Sequence, residues 1–181
     1  MTTDARDPDS FAALDAAGRA AAGDLARRAA QLDAWLALTG HGPVPGALVR
    51  LPMLSGSMAP ALPCGCELAI DPLGASRARV GDVVVLRLDD RLVAHRVLAW
   101  RRRDGRRWLL EHGDANPRGA WQPVDRVVGL VVGARATDGL ELPPPHSRRR
   151  ALRGLWRHLR AALAGRLGAA ADSTFDPGIR T

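Results

Sequence analysis

The chain has no lysine, so all 26 of its basic residues are arginines. That excludes a serine nucleophile activated by a lysine amine, and any serine hydrolase built here must use histidine for proton transfer. Tyrosine is absent too, and aromatic residues make up only 4% of the sequence. Cysteine is reduced to Cys64 and Cys66. Their spacing of two is poor for a disulfide, and two thiols are too few to hold zinc. They read as small residues near a turn. No disulfide-built secreted domain, metal or cofactor is expected. No run approaches the roughly eighteen consecutive apolar residues that a membrane-spanning helix needs. The N-terminus carries Asp4, Asp7 and Asp9 where a signal peptide would carry basic residues before an apolar core. A cytoplasmic location, at most peripheral at a membrane, is expected.

What is present suits one globular domain with extensions: 181 residues, 46% hydrophobic and 25% charged. Frequent Gly and Pro fit a β-rich core with many turns. Missing lysine together with abundant Ala, Arg and Gly reads as a coding bias. The net charge of +7 invites a nucleic-acid reading, but phosphate binding needs the charge gathered on one face. Here the excess sits towards the C-terminus, while residues 1–40 lean acidic.

Three regions follow from the patterning. Residues 1–46 hold an acidic tail and an Ala-rich helix over 10–38, with Leu14, Leu25, Leu32, Trp35 and Leu36 on one face, Ser10 as its cap and Gly40 as its stop. Residues 47–136 hold short apolar runs between turns, which predict strands at Ala47–Leu54, Glu67–Asp71, Asp82–Leu88, Leu92–Arg101, Arg107–His112 and Val127–Ala134. Asp89-Asp90 and Asp104-Gly105 would turn hairpins. Residues 137–181 open with Leu142-Pro143-Pro144-Pro145, a stiff break. Leu152, Leu155, Trp156, Leu159, Leu163 and Leu167 then recur at helical spacing among arginines, with no acid in Arg148–Leu167. This is a cationic amphipathic helix. The fold class expected is therefore mainly β, a compact antiparallel domain flanked by an N-terminal and a C-terminal helix.

The chemistry centres on Ser57, in Leu54-Ser55-Gly56-Ser57-Met58-Ala59-Pro60-Ala61-Leu62, and on His95, in Val93-Ala94-His95-Arg96-Val97. A serine hydroxyl needs a base to take its proton and donors aimed at the oxyanion that develops. Gly56 permits a tight turn before the serine, and Pro60 stops the following chain from continuing as a strand. Ser-Gly-Ser-Met-Ala-Pro-Ala-Leu, Gly81-Asp82-Val83-Val84-Val85, Ala94-His95-Arg96-Val97, Gly113-Asp114-Ala115-Asn116-Pro117 and Val131-Val132-Gly133 come in the order and spacing of one set. That set resembles the signal peptidase I family over roughly residues 50–134. Histidine in place of the usual bacterial lysine is similar to the branch of archaea, the endoplasmic reticulum and some spore-forming bacteria.

The resemblance implies a signal-peptidase-like β-domain and a serine endopeptidase that cleaves a leader or precursor peptide after small residues. It makes Ser57 the nucleophile and His95 the general base, with the Ser55 hydroxyl and the Ser57 backbone N–H as the oxyanion hole. Met58 and Pro60 would shape the loop, and Asp82 would be structural. The His-type branch places an orienting Asp a few residues past the Gly-Asp-Asn motif, but Pro117-Arg118-Gly119-Ala120-Trp121 holds no acid. Asp114 or Asp125 would substitute, with Asp114 preferred as the third catalytic residue. His112 is a rival base given a positioning role, and His41, His146 and His158 lack any such context. Trp100, Trp108 and Trp121 read as cover for the core.

Partners expected on this reading are a peptide or precursor protein, and peripheral membrane contact through 148–167. Three other readings stay open. One is a non-catalytic peptide-binding relative of the same fold, supported by the missing acid. A second is a self-cleaving repressor, disfavoured by the lack of lysine. A third is an arginine-rich nucleic-acid binder through Arg101-Arg102-Arg103 or Arg148-Arg149-Arg150.

Overall fold

Val83-Val84-Val85-Leu86 is apolar at every position, the mark of a strand covered on both faces. The fold is built around it. A computed structural model describes Ala34, residues 46–88 and residues 91–172. The strands are β1 (Val49–Pro52), β2 (Glu67–Asp71), β3 (Val83–Leu88), β4 (Arg91–Arg103), β5 (Arg106–His112), β6 (Ala120–Pro123) and β7 (Val127–Arg135). One helix, α1 (Arg148–Asp172), follows them, and short 3-10 turns cover Pro72–Arg77 and Val124–Arg126. All pairings are antiparallel, in the order β1-β2-β7-β3-β4-β5-β6. The protein is thus mainly β. The expected N-terminal helix, the Asp89-Asp90 turn and the C-terminal tail lie outside the described residues, apart from Ala34, which is helical and buried against the core.

β3 sends Val83 and Val85 into one core cluster with Leu51, Met53, Met58, Leu62 and Leu68. It sends Val84 and Leu86 into a second with Val97, Leu109 and Val127. Irregular registers at Ala69/Ile70 and Val85/Leu86 add twist to a sheet that already twists by its chirality. The sheet curls far enough for its β1 edge to come back towards the N-terminal half of β4, across β2, β7 and β3. β4 pairs with β5 only from Arg96 onwards, so Arg91–His95 has a strand neighbour, β3, on one side alone.

Two other features position the site. Asp104 and Gly105 both have positive φ, 52° and 71°, and close the two-residue hairpin between β4 and β5. An extra residue, Leu98, then sits in β4 between Val97, opposite Glu111, and Ala99, opposite Leu110. This β-bulge changes which β5 residues share a face with His95.

α1 begins where the Ser147 hydroxyl accepts the Arg150 N–H at 3.3 Å. It lies on β4 with a small-residue face. Ala151 joins Leu98 and Leu110 in a third cluster, and a side chain at Gly154 would meet Leu98 at 3.0 Å and the His112 ring at 3.1 Å.

Candidate active site

Ser57 sits half-buried in the loop that leaves β1. Met58 and Leu62, both fully buried, anchor that loop in the first core cluster. Internal hydrogen bonds shape it, from the Ala59 N–H to the Gly56 carbonyl (3.0 Å) and from the Leu62 N–H to the Met58 carbonyl (3.0 Å). The Ser57 carbonyl accepts the Ala115 N–H at 2.9 Å, which fastens the loop to the turn after β5. That turn is closed by the Asn116 N–H on the Gly113 carbonyl, 2.9 Å. A Cβ at Gly113 would come within 2.8 Å of the Ser57 carbonyl oxygen, so the close approach of the two loops requires glycine. Ser55 and Ser57 stand side by side, with their hydroxyl oxygens 3.2 Å apart.

His95 is on β4, largely buried, and its Nδ1 is hydrogen-bonded to the Glu111 carboxylate on β5. The register explains the meeting. Val97 faces Glu111 across the ladder and Arg96 faces His112, so His95 reaches Glu111 on the diagonal of one sheet face. Arg96 alternates to the opposite face with His112. Fully buried, Arg96 donates through Nε and Nη2 to both Asp114 carboxylate oxygens at 2.7 Å. Its Nη1 donates to the Gly81 carbonyl (2.8 Å) and the Pro145 carbonyl (2.6 Å).

Asp114, expected beside His95, is therefore committed elsewhere. Both of its oxygens are taken by Arg96, and it answers to the other face of the ladder. Asp125, the alternative, is exposed on the 3-10 turn Val124–Arg126 and makes no ion pair among the described residues. The acid that meets His95 is Glu111, which sequence reasoning missed. A carboxylate at the buried end of Trp108-Leu109-Leu110-Glu111-His112 is the signal that could have found it, because such a group needs a partner. Ser57 is fastened to the turn after β5 through Ala115, and His95 to β5 itself through Glu111. Their side chains are not hydrogen-bonded to each other. Among the described residues His95 Nε2 has no hydrogen-bond partner.

His112 is fully buried under Gly154, and neither ring nitrogen has a partner among the described residues. Burial, reinforced by the Arg157 charge, pushes its pKa below the ordinary 6.5 and keeps the ring neutral. His146 pairs with Asp82, and His158 accepts the Gly119 N–H at 3.1 Å. Neither joins the Ser57 neighbourhood. Cys64 and Cys66 are free thiols, and burial raises the Cys66 pKa. No group of three His, Cys, Asp or Glu residues suited to a metal occurs among the described residues.

A groove of about 230 Å³ runs past Ser55 and Ser57, walled by Leu51–Leu54 on one side and Arg91–Ala94 on the other. Both walls are strand edges or their extensions. A scan of the sequence against protein-family models gives no match, and a search of the curated proteins gives none. Arginine placement bears on the nucleic-acid alternative. Arg101 lies over the Trp121 ring at 4.0 Å and near Trp108 at 5.8 Å, and Arg107 lies over Trp100 at 4.0 Å. These guanidiniums are stacked within the sheet. No helix among the described residues is long and apolar enough to cross a membrane.

Proposed function

We propose that this chain is a serine endopeptidase of signal peptidase I type in which Ser57, His95 and Glu111 act in sequence. The observation that carries the reading is the His95–Glu111 pair where the β4–β5 ladder stops. Glu111 holds the imidazole with Nδ1–H pointing at the carboxylate, which leaves Nε2 as the basic nitrogen. Nε2 takes the Ser57 proton as Oγ attacks the scissile carbonyl. The oxyanion is received by the Ser57 N–H and the Ser55 hydroxyl. The imidazolium returns its proton to the leaving amine, and water then hydrolyses the acyl-enzyme by the same route. The substrate lies extended between the β1 edge and Arg91–Ala94, a strand-addition mode.

Cleavage of a peptide library with small residues at varied positions, read by mass spectrometry, tests this. Ser57→Ala and His95→Ala should each lower turnover by about 10³-fold or more, and Glu111→Gln by about 10²–10⁴-fold. Asp114→Asn should leave the turnover per folded molecule within about tenfold, since Asp114 serves Arg96. Undiminished turnover in Ser57→Ala would end the proposal.

One observation favours a second reading, peptide binding without cleavage: the Ser57 and Ser55 hydroxyls are hydrogen-bonded to each other. On that reading the wild-type protein binds peptides in the groove, cleaves none, and binds as tightly after Ser57→Ala.

A further inference from the structure

α1 presents its largest apolar side chains to the outside. Leu152, Trp156, Leu159 and Leu163 are 70%, 63%, 48% and 60% exposed and follow one another at three- and four-residue steps, so they form one stripe. The opposite face, which packs on the sheet, is made of Ala151, Gly154, Leu155, His158 and Ala161. A helix that packs largely through small residues while Leu152, Trp156, Leu159 and Leu163 face outward has the reverse of the usual arrangement. A contiguous exposed apolar stripe of this kind marks a contact surface.

Charge identifies the occupant. Exposed Arg149, Arg153 and Arg160 flank the stripe on one side and exposed Arg148 on the other, and no acidic residue occurs from Arg148 to Ala171. A second copy laid on the stripe would bring these arginines against their own equivalents, with no carboxylate between Arg148 and Ala171 to pair them. Nucleic acid would satisfy the arginines but leave the leucines and Trp156 without a role. An anionic lipid surface satisfies both: acyl chains take the stripe and headgroup phosphates take the flanking guanidiniums. We infer that α1 is an interfacial helix that docks the protein, stripe inward, on an anionic bilayer surface. This inference does not depend on the catalytic reading.

Flotation of the full chain with lipid vesicles tests it. The protein should float with phosphatidylcholine vesicles containing phosphatidylglycerol and bind pure phosphatidylcholine at least about tenfold more weakly, with binding reduced by salt. Trp156→Ser with Leu159→Ser should lower the bound fraction at least about tenfold. Arg149→Glu with Arg160→Glu, at exposed positions without hydrogen-bond partners among the described residues, should abolish the preference for phosphatidylglycerol and provides an arm independent of the apolar residues. The inference is overturned if the wild type stays unbound with phosphatidylglycerol vesicles, or if both double variants float as well as wild type. It is equally overturned if the Trp156/Leu159 variant only turns a dimer into a monomer, or if the sole ligand proves to be duplex DNA whose binding ignores that variant.

Discussion

His95 has two acids within reach of its strand, and a single backbone residue decides between them. Counted back from the Asp104-Gly105 turn without interruption, the β4–β5 ladder would set His95 opposite Asp114. Leu98 bulges out, the register moves by one, and the faces exchange: Glu111 comes to His95 and Asp114 to Arg96. This is why Glu111, the acid that meets His95, was not legible in the sequence. Motif spacing reports what lies near what along the chain, whereas a bulge is decided by packing across strands. His112 shows a second property hidden from the sequence, complete burial without a ring partner among the described residues. Its folded pKa lies below the 6.5 of the unfolded chain. Below about pH 6.5 the unfolded state therefore binds a proton that the folded state refuses, and stability falls as pH falls. The urea midpoint should drop between about pH 7.5 and pH 5, and the drop should be shallower in His112→Leu, which has no proton to take up. Equal slopes would show that His112 does not carry this dependence.

At the level of elements, strands with long Val and Leu runs were readable and their observed bounds lie within a few residues of expectation. Glu67–Asp71 is identical in both. β6 was missed because Ala120-Trp121-Gln122-Pro123 is short and ends in proline. It forms only as an edge strand laid on β5, where the proline needs no second partner. The expected amphipathic helix formed over Arg148–Asp172, with Leu152, Trp156, Leu159 and Leu163 outward and a small-residue face on β4. Periodicity gives a stripe and leaves its direction open. The turn Gly113–Asn116 is the element most directly coupled to Ser57. Gly113→Ala would push a methyl group against the Ser57 carbonyl and Asn116, displacing one loop from the other. We expect a loss of about 1–3 kcal/mol in unfolding free energy and a fall in turnover larger than the stability loss explains. Wild-type turnover at full occupancy of the folded state would show that the two loops are not coupled in function.

Across the whole molecule, curling of the sheet turns two separate edges into the walls of one groove. Leu51–Leu54 and Arg91–Ala94 are far apart in the sequence and in strand order, and neither stretch advertises the other. A peptide that adds as a strand must bond to backbone groups on these edges. Hydrogen exchange of the Ser57→Ala variant should therefore slow in both segments when a substrate peptide binds, with little change in β5 and β6. Protection confined to α1 would move the binding surface away from the groove.

Arg96 gives this architecture a mechanical continuity. It holds the Pro145 carbonyl just ahead of α1 and the Asp114 carboxylate in the turn, and the next residue of that turn holds Ser57. A load that shifts α1 against the sheet is carried along this line of buried bonds to the backbone of the serine. α1 is thereby tethered, through Arg96 and the turn after β5, to the loop that carries the hydroxyl.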